Sequence, residues 1–297
     1  MAFPNAIVIG APRSGTTSLY NYLKQHPQVY MSPLKETRFF AYEGTSVNYR
    51  GPTDPQTINR DTVTELDDFL RLFEGRSDEP VTGEASPIYL YRSQAPKRIH
   101  HYIPDAKLIA IFRNPIDRAY SDFLNMVRLG REPLYDFAEA LRAEEQRIEQ
   151  GWGPFYHYRS KGFYFEQVKR YTKLFDREQM KFYLYEDLNR DTDGLMKNIA
   201  QFLEIDDTHS LDTTTKHNKS GVPKSKFIHD LITNRYVSLL FPGNTLGKVR
   251  RRLKNINLSH EKPQLSPSVR NRLATAYRED ILRLQDLIQR DLTSWIS

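Results

Sequence analysis

The sequence predicts an α/β fold built on a mostly parallel sheet, in one domain. Three observations predict it. Short apolar runs alternate with longer amphipathic ones, the pattern of strands joined by crossover helices. The first apolar run passes directly into a turn bounded by Gly10 and Gly15, and then into a helical pattern. A second apolar run ends in Arg113-Asn114-Pro115, with proline at the first-turn position that helices favour. No linker, low-complexity run or internal repeat divides the 297 residues, and a hydrophobic content of 39% is enough for a substantial core.

Taken in order, Ala6 to Ile9 reads as the first strand, closed by Gly10. A helix follows from Thr16 to about Gln25, with Leu19, Tyr20 and Leu23 on one face. Val29-Tyr30-Met31 is a short second strand and Pro80 to Glu84 a third. Leu108 to Phe112 is the clearest strand, and Pro115 opens the helix after it. Two helices are expected over Leu134 to Glu149 and Phe163 to Phe175, then a strand over Lys181 to Tyr185. Asp191 to Leu203 is helical, with Leu195, Ile199 and Phe202 at core spacing. The last helix runs from about Ser266 to Arg290, striped by Leu273, Tyr277, Ile281, Leu284 and Ile288. Gly44 to Asp61, Asp206 to Gly221 and Pro242 to Pro263 lack periodicity and read as loops.

The formal net charge of +6 suits a polyanionic ligand, but equally nucleic acid or an anionic membrane. There is no cysteine, which excludes disulfides and thiolate catalysis. The first residues show no basic leader pattern, and no apolar stretch approaches the ~18 residues of a membrane span. The expectation is a soluble, cytoplasmic protein without a transmembrane segment.

Gly10-Ala11-Pro12-Arg13-Ser14-Gly15-Thr16-Thr17 carries the most chemistry. It leaves a strand and enters a helix, whose first N–H groups are free to meet an anion. Ser14, Thr16, Thr17 and Ser18 add hydroxyl donors. The spacing nearly matches the phosphate loop of ATP and GTP enzymes, but Thr16 stands where their lysine would be, and the cation is Arg13. No aspartate ends the following strands as a metal ligand, so the loop reads as an anion site without a metal. The eight histidines show no metal spacing either. The second anion signal is Arg113 at the end of a strand with Ser121 two helical turns on, a fork and a hydroxyl suited to a phosphate. Taken alone, Arg113 reads equally well as a helix cap and Ser121 as a solvent-facing residue.

Together the two motifs resemble those of the sulfotransferases that use 3′-phosphoadenosine 5′-phosphosulfate (PAPS). The resemblance continues through Lys35-Glu36-Thr37-Arg38-Phe39-Phe40, Gly162-x-Tyr164, Tyr185-Glu186-Asp187-Leu188, Phe202-Leu203 and Leu265-Ser266-Pro267. It covers nearly the whole chain and is nearest the bacterial and carbohydrate-type branch. It implies one P-loop-type domain over residues 1–297, with a central parallel sheet of about five strands flanked by helices. It further implies PAPS as sulfo donor and a hydroxyl or amine on a carbohydrate, lipid or small metabolite as acceptor. Arg13, Ser14, Gly15, Thr16, Thr17 and Ser18 are the implied contacts to the 5′-phosphosulfate, and Arg113 and Ser121 those to the 3′-phosphate. Lys224 is a further phosphate contact, in a loop that sits where the family has a late nucleotide-binding segment. Two departures stand out: many members carry lysine where this chain has Arg13, and the Golgi enzymes carry one where it has Ala85. Lys35 is the candidate replacement for the second.

In-line sulfuryl transfer needs stabilisation of the leaving phosphate and removal of the acceptor proton. Arg13 is the candidate for the first and Glu36 for the second. Glu36 is also placed to form a structural ion pair with Lys35 or Arg38. Glu84 is the rival carboxylate, and His157 a third candidate base. The aromatic stretch Trp152 to Tyr158 lines an acceptor pocket, stacks on adenine, or packs beneath a loop. The basic run Lys248 to Lys254 holds an anionic acceptor, touches a membrane, or is a solvated face. Two other functions compete: a nucleotide kinase or NTPase, which the missing loop lysine disfavours, and a non-catalytic basic module for nucleic acid, which no recognised motif supports.

Overall fold

The computed structural model describes residues 3–213, 222–223, 258–259 and 263–296. Five strands form the central sheet: β1 (Ala6–Gly10), β2 (Val29–Met31), β3 (Val81–Ala85), β4 (Lys107–Phe112) and β5 (Met180–Leu184). Their order is β2-β3-β1-β4-β5, and every pairing is parallel. β1 and β3 are buried along their whole length, and β4 at all but Lys107. Strands covered on both faces need no polar alternation, which is why β1 and β4 read as continuous apolar runs. A short antiparallel pair, β6 (Val222–Pro223) and β7 (Leu258–Ser259), stands apart from this sheet.

Eleven helices are described. The first half of the chain holds α1 (Thr16–Leu23), α2 (Phe39–Tyr42), α3 (Ile58–Asp61), α4 (Leu66–Arg71) and α5 (Ala95–Tyr102). After β4 come α6 (Pro115–Arg128), α7 (Phe137–Glu149), α8 (Tyr164–Thr172), α9 (Tyr185–Arg190), α10 (Thr192–Leu203) and α11 (Pro267–Ile288). The alternation of strand side chains splits the core in two. Ala6 and Val8 face α1 and α10, among Leu19, Leu23, Leu195 and Ile199. Ile7 and Ile9 face the other way, into a core shared with α5, α6, α8 and α11. The expected stripe of α11 is buried: Leu273, Tyr277, Ile281, Leu284 and Ile288 are each at most 2% exposed. Each such side chain stabilises the fold by about 1.5–3 kcal/mol.

α11 also fastens the start of α8 and the turn before it. The Asp280 carboxylate accepts the N–H groups of Tyr164 (2.8 Å) and Phe165 (3.2 Å), capping α8 where a negative charge is favoured. The Tyr277 hydroxyl donates to the Arg159 carbonyl at 2.8 Å. Beyond α11 the chain returns to the sheet, and the Trp295 carbonyl accepts from Asn114 Nδ2 at 3.4 Å, at the corner between β4 and α6.

Several boundaries differ from expectation for local reasons. α7 starts at Phe137 rather than Leu134, because Asp136 caps it by accepting the Glu139 N–H at 2.8 Å. The strand expected to reach Tyr185 stops at Leu184, whose N–H donates to Asp187 Oδ2 (3.0 Å) as α9 begins. Phe202 is half-buried, not central; it lies 5.7 and 5.8 Å from the ammonium groups of Lys107 and Lys181, while Leu203 takes the core position. Among the described residues no helix is long and apolar enough to cross a membrane.

Candidate active site

The C-terminal ends of β1 to β4 bring the expected site residues to one edge of the sheet, where open α/β sheets bind ligands. β1 delivers the loop that turns into α1. Gly15 caps α1 at φ 100°, and a Cβ there would lie 2.5 Å from Leu188 Cδ2, so only glycine closes this turn. No side chain caps α1, which leaves its first N–H groups open to an anion. Arg13 Nε and Ser14 Oγ are buried without a hydrogen-bond partner among the described residues. Buried polar atoms are nearly always satisfied, so this loop is prepared for a polar guest. Thr16 and Thr17 line the adjoining cavity; Ser14 is fully buried and Ser18 half-buried, both off its wall.

β4 delivers the second candidate anion position. The Arg113 guanidinium lies over the Tyr185 ring at 4.8 Å and donates to the Arg13 carbonyl at 3.3 Å, which ties the two positions together. Ser121 is only 7% exposed, and Asn114, not Arg113, caps α6 by accepting the Ile116 N–H at 2.9 Å. Capping and solvent-facing roles for Arg113 and Ser121 therefore fall away. Both line a cavity of ≈ 380 Å³ whose rim carries the Arg270–Asp117 ion pair at 2.6 Å.

A second cavity of ≈ 210 Å³ joins the loop to the residues after β2. Arg13, Thr17, Glu36, Arg38, Asp122 and Lys161 are among the residues that line it. Three of the ionisable ones have left-handed backbones: Arg13 (φ 67°), Glu36 (φ 64°) and Arg38 (φ 59°). Such conformations are disfavoured for residues with a Cβ and cluster at functional sites. Glu36 accepts from Lys35 Nζ at 2.9 Å and Arg38 Nη2 at 3.3 Å. Burial opposes its ionisation, but the two cations outweigh burial and hold the carboxyl at about 2. Its side chain remains 38% exposed, facing the cavity. Lys35, the candidate replacement for a lysine at Ala85, thus has its ammonium on Glu36.

The rival bases sit differently. Glu84 is fully buried on β3, its Oε1 accepting from Thr37 Oγ1 (2.9 Å) and Ser86 Oγ (2.6 Å), and burial raises it to about 7. It does not line the cavity. His157 is buried with both ring nitrogens engaged, by the Tyr91 hydroxyl at 3.0 Å and the Trp152 carbonyl at 3.1 Å, and burial lowers it to about 4. In the aromatic stretch, Phe155 lines the cavity 5.6 Å from the Arg38 guanidinium. Trp152 and Tyr156 instead pack against Arg147, at 4.8 and 5.7 Å.

Three lining residues escape sequence reading. Asp122 follows Ser121 directly, and its Oδ2 accepts from Lys161 Nζ (2.6 Å) and Arg118 Nη1 (3.4 Å). Arg131 sits on the turn after α6, which a buried pair holds in place: Arg147 meets Glu132 at 2.7 and 3.0 Å. The clue for Asp122 was helical spacing from Arg118; Lys161 and Arg131 gave none. Lys224 and the run Lys248 to Lys254 lie outside the described residues. Among those described, no group of three or more His, Asp and Glu is placed to hold a metal ion.

The family profile described as "Sulfotransferase domain" matches residues 3–279. The crystal structure of a sulfotransferase from Alicyclobacillus acidocaldarius is similar over 100% of both chains, with a TM-score of 0.80 and 32% identity. A mouse sulfotransferase complexed with PAP shares the fold, at a TM-score of 0.51 and 14% identity over 96% of this chain and 86% of its own. Among curated proteins, heparan sulfate glucosamine 3-O-sulfotransferase 6 of Mus musculus is 29% identical over 207 residues, 68% of this chain and 53% of its own length. Carbohydrate sulfotransferase 15 of Mus musculus is 26% identical over 184 residues, 49% of this chain and 31% of its own. The chain spans about half the length, or less, of the curated relatives it matches.

Proposed function

The chain belongs to the sulfotransferase domain family, and from that premise we propose that it moves a sulfo group from PAPS to a hydroxyl or amine of a carbohydrate. One observation carries this reading: two clustered sets of anion-binding groups, at Arg13 and at Arg113 with Ser121, lie in separate cavities but are joined by a hydrogen bond from Arg113 to the Arg13 carbonyl, and Arg13 shares its cavity with the Glu36 carboxylate. A donor with a phosphate at each end of one adenosine would take both positions, and the PAP complex of a relative in the fold supports that choice. The carbohydrate acceptor rests on the names of the curated relatives.

In this reaction the acceptor oxygen or nitrogen attacks sulfur, and the sulfur–oxygen bond to the phosphate breaks. Arg13 and the first N–H groups of α1 hold the charge that builds on the departing phosphate. Glu36 receives the acceptor proton. Held at about 2, it is a weak base toward a ground-state hydroxyl. Its proton transfer therefore falls late, once bonding to sulfur has made the acceptor proton acidic. Lys35 and Arg38 keep the carboxylate ionised and aimed. Arg131, half-buried on the cavity wall, makes no side-chain hydrogen bond or ion pair among the described residues. An unpaired cation there favours an acceptor that already bears an anionic group.

The test is transfer of labelled sulfo groups from PAPS into glucosamine, N-sulfoglucosamine and heparan sulfate oligosaccharides, with products identified by mass. A sulfated product formed with chelator present supports the reading. Failure to bind PAPS or adenosine 3′,5′-bisphosphate, or transfer of the γ-phosphate of ATP instead, overturns it.

A further inference from the structure

Asp122, Arg118 and Lys161 form a charge cluster that the donor site does not explain. The Lys161 side chain is 2% exposed, that of Arg118 is wholly covered, and both rest on the single carboxylate of Asp122. Glu144, the next carboxylate nearby, is already taken by the N–H groups of Arg159 (2.6 Å) and Ser160 (2.8 Å) and by the Ser160 hydroxyl (2.6 Å). Arg13 adds a further cation on the same cavity wall. Three cations, Arg13, Arg118 and Lys161, thus stand against two carboxylates, Asp122 and Glu144, and a covered excess of one sign is costly until a counter-ion arrives.

The donor count points the same way. An ammonium carries three N–H bonds, and Asp122 Oδ2 at 2.6 Å is the one acceptor that Lys161 meets among the described residues. Lys161 sits on a tight 3₁₀ turn, Ser160–Gly162, closed by the Gly162 N–H donating to the Arg159 carbonyl at 2.9 Å. There it lines the same ≈ 210 Å³ space as Arg13 and Glu36, the groups assigned to the leaving phosphate and the acceptor proton.

We propose that Lys161 is a catalytic residue whose ammonium grips the oxygens of the sulfo group as it moves from donor to acceptor. This rests on the sulfotransferase reading above. The bond that forms is from acceptor oxygen or nitrogen to sulfur, and the one that breaks is from sulfur to the bridging phosphate oxygen. The leaving electron pair stays on adenosine 3′,5′-bisphosphate, the acceptor proton goes to Glu36, and Lys161 keeps its own proton throughout. Asp122 positions Lys161, and Arg118 fixes Asp122.

The assay compares the affinities of PAPS and adenosine 3′,5′-bisphosphate, which differ by the sulfo group, and needs no acceptor. In Lys161→Gln, PAPS should bind about tenfold or more weakly, as expected for one charge-assisted contact, while the bisphosphate changes by less than about twofold. Lys161→Arg should recover most of the difference. If Lys161 serves only to pair with Asp122, the two ligands weaken alike or neither weakens, and the proposal fails. Should Lys161→Gln not fold, Lys161→Met keeps the side-chain length and leaves Asp122 paired with Arg118, and reads the same ratio. Wild-type protein that binds neither nucleotide would refute the sulfotransferase reading itself, a result distinct from an unchanged ratio.

Discussion

Replacing Arg113 by alanine is the sharpest probe of the proposed nucleotide site. Within the protein, the guanidinium makes one long hydrogen bond, 3.3 Å to the Arg13 carbonyl, and lies over the Tyr185 ring. A single long bond and an open stacking contact contribute little to folding, so Arg113→Ala should fold normally. What it removes is a fork directed into the cavity shared with Ser121. A charge-assisted hydrogen bond is worth about 1.5–3 kcal/mol. Adenosine 3′,5′-bisphosphate should therefore bind roughly 10- to 150-fold more weakly. AMP, which lacks the 3′-phosphate, should lose little. Isothermal calorimetry on both nucleotides, with chelator present, separates the two effects. Equal losses for AMP and the bisphosphate would mean that Arg113 supports the Arg13 loop rather than a 3′-phosphate. Unchanged affinity for both would remove Arg113 from the site.

Two further outcomes follow from the carboxylates. Glu36→Gln should lower kcat by about 10²–10⁴-fold with bisphosphate affinity intact, because the amide keeps the shape but accepts no proton. Since Lys35 and Arg38 hold Glu36 at about 2, the wild-type pH–rate profile should show no acid limb from this group above about pH 4. Normal turnover in Glu36→Gln would pass the proton to another group. Glu84 behaves oppositely, since burial raises it from an ordinary 4.5 to about 7. The folded protein there retains a proton that the unfolded chain has released, so its contribution is whole below pH 4.5 and fades as pH rises through 7. Between pH 4.5 and 8, stability should move in favour of Glu84→Gln over wild type, by on the order of 2–3 kcal/mol. Urea melts across that range test this, and a difference independent of pH would contradict it.

How much of this was legible follows from where each signal lies along the chain. β1 and β4 stood out because burial on both faces leaves nothing polar in them. β3 was harder to see, since its buried residues include Thr82, Gly83 and Glu84, and Glu84 is tolerated only by the hydroxyls of Thr37 and Ser86. The short helices α2, α3 and α4 hold too few turns to show a period. The residues of both candidate anion positions could be picked out because each set is a contiguous stretch at a strand end. Arg131, Asp122 and Lys161 meet only in space; Lys161 comes from a turn 39 residues beyond Asp122, and no local pattern marks such a pair. The ambiguity at Glu36 was genuine, as it makes the ion pairs of a structural residue while facing the cavity of a catalytic one.

The hydrogen bond between Asn114 and the Trp295 carbonyl has a consequence for biosynthesis. Its partners are 181 residues apart. At about 5–20 residues per second, a ribosome that has made the β4 corner needs roughly 10–35 s more to supply Trp295. Throughout that interval the glycine loop and its arginines already exist as sequence, but the corner beside Arg113 lacks its last support. α8, too, waits for the Asp280 cap. A nascent chain halted before α11 would thus carry both anion motifs without the scaffold that aims them. The scaffold around both motifs is therefore completed only after the segment from α11 to Trp295 has left the ribosome.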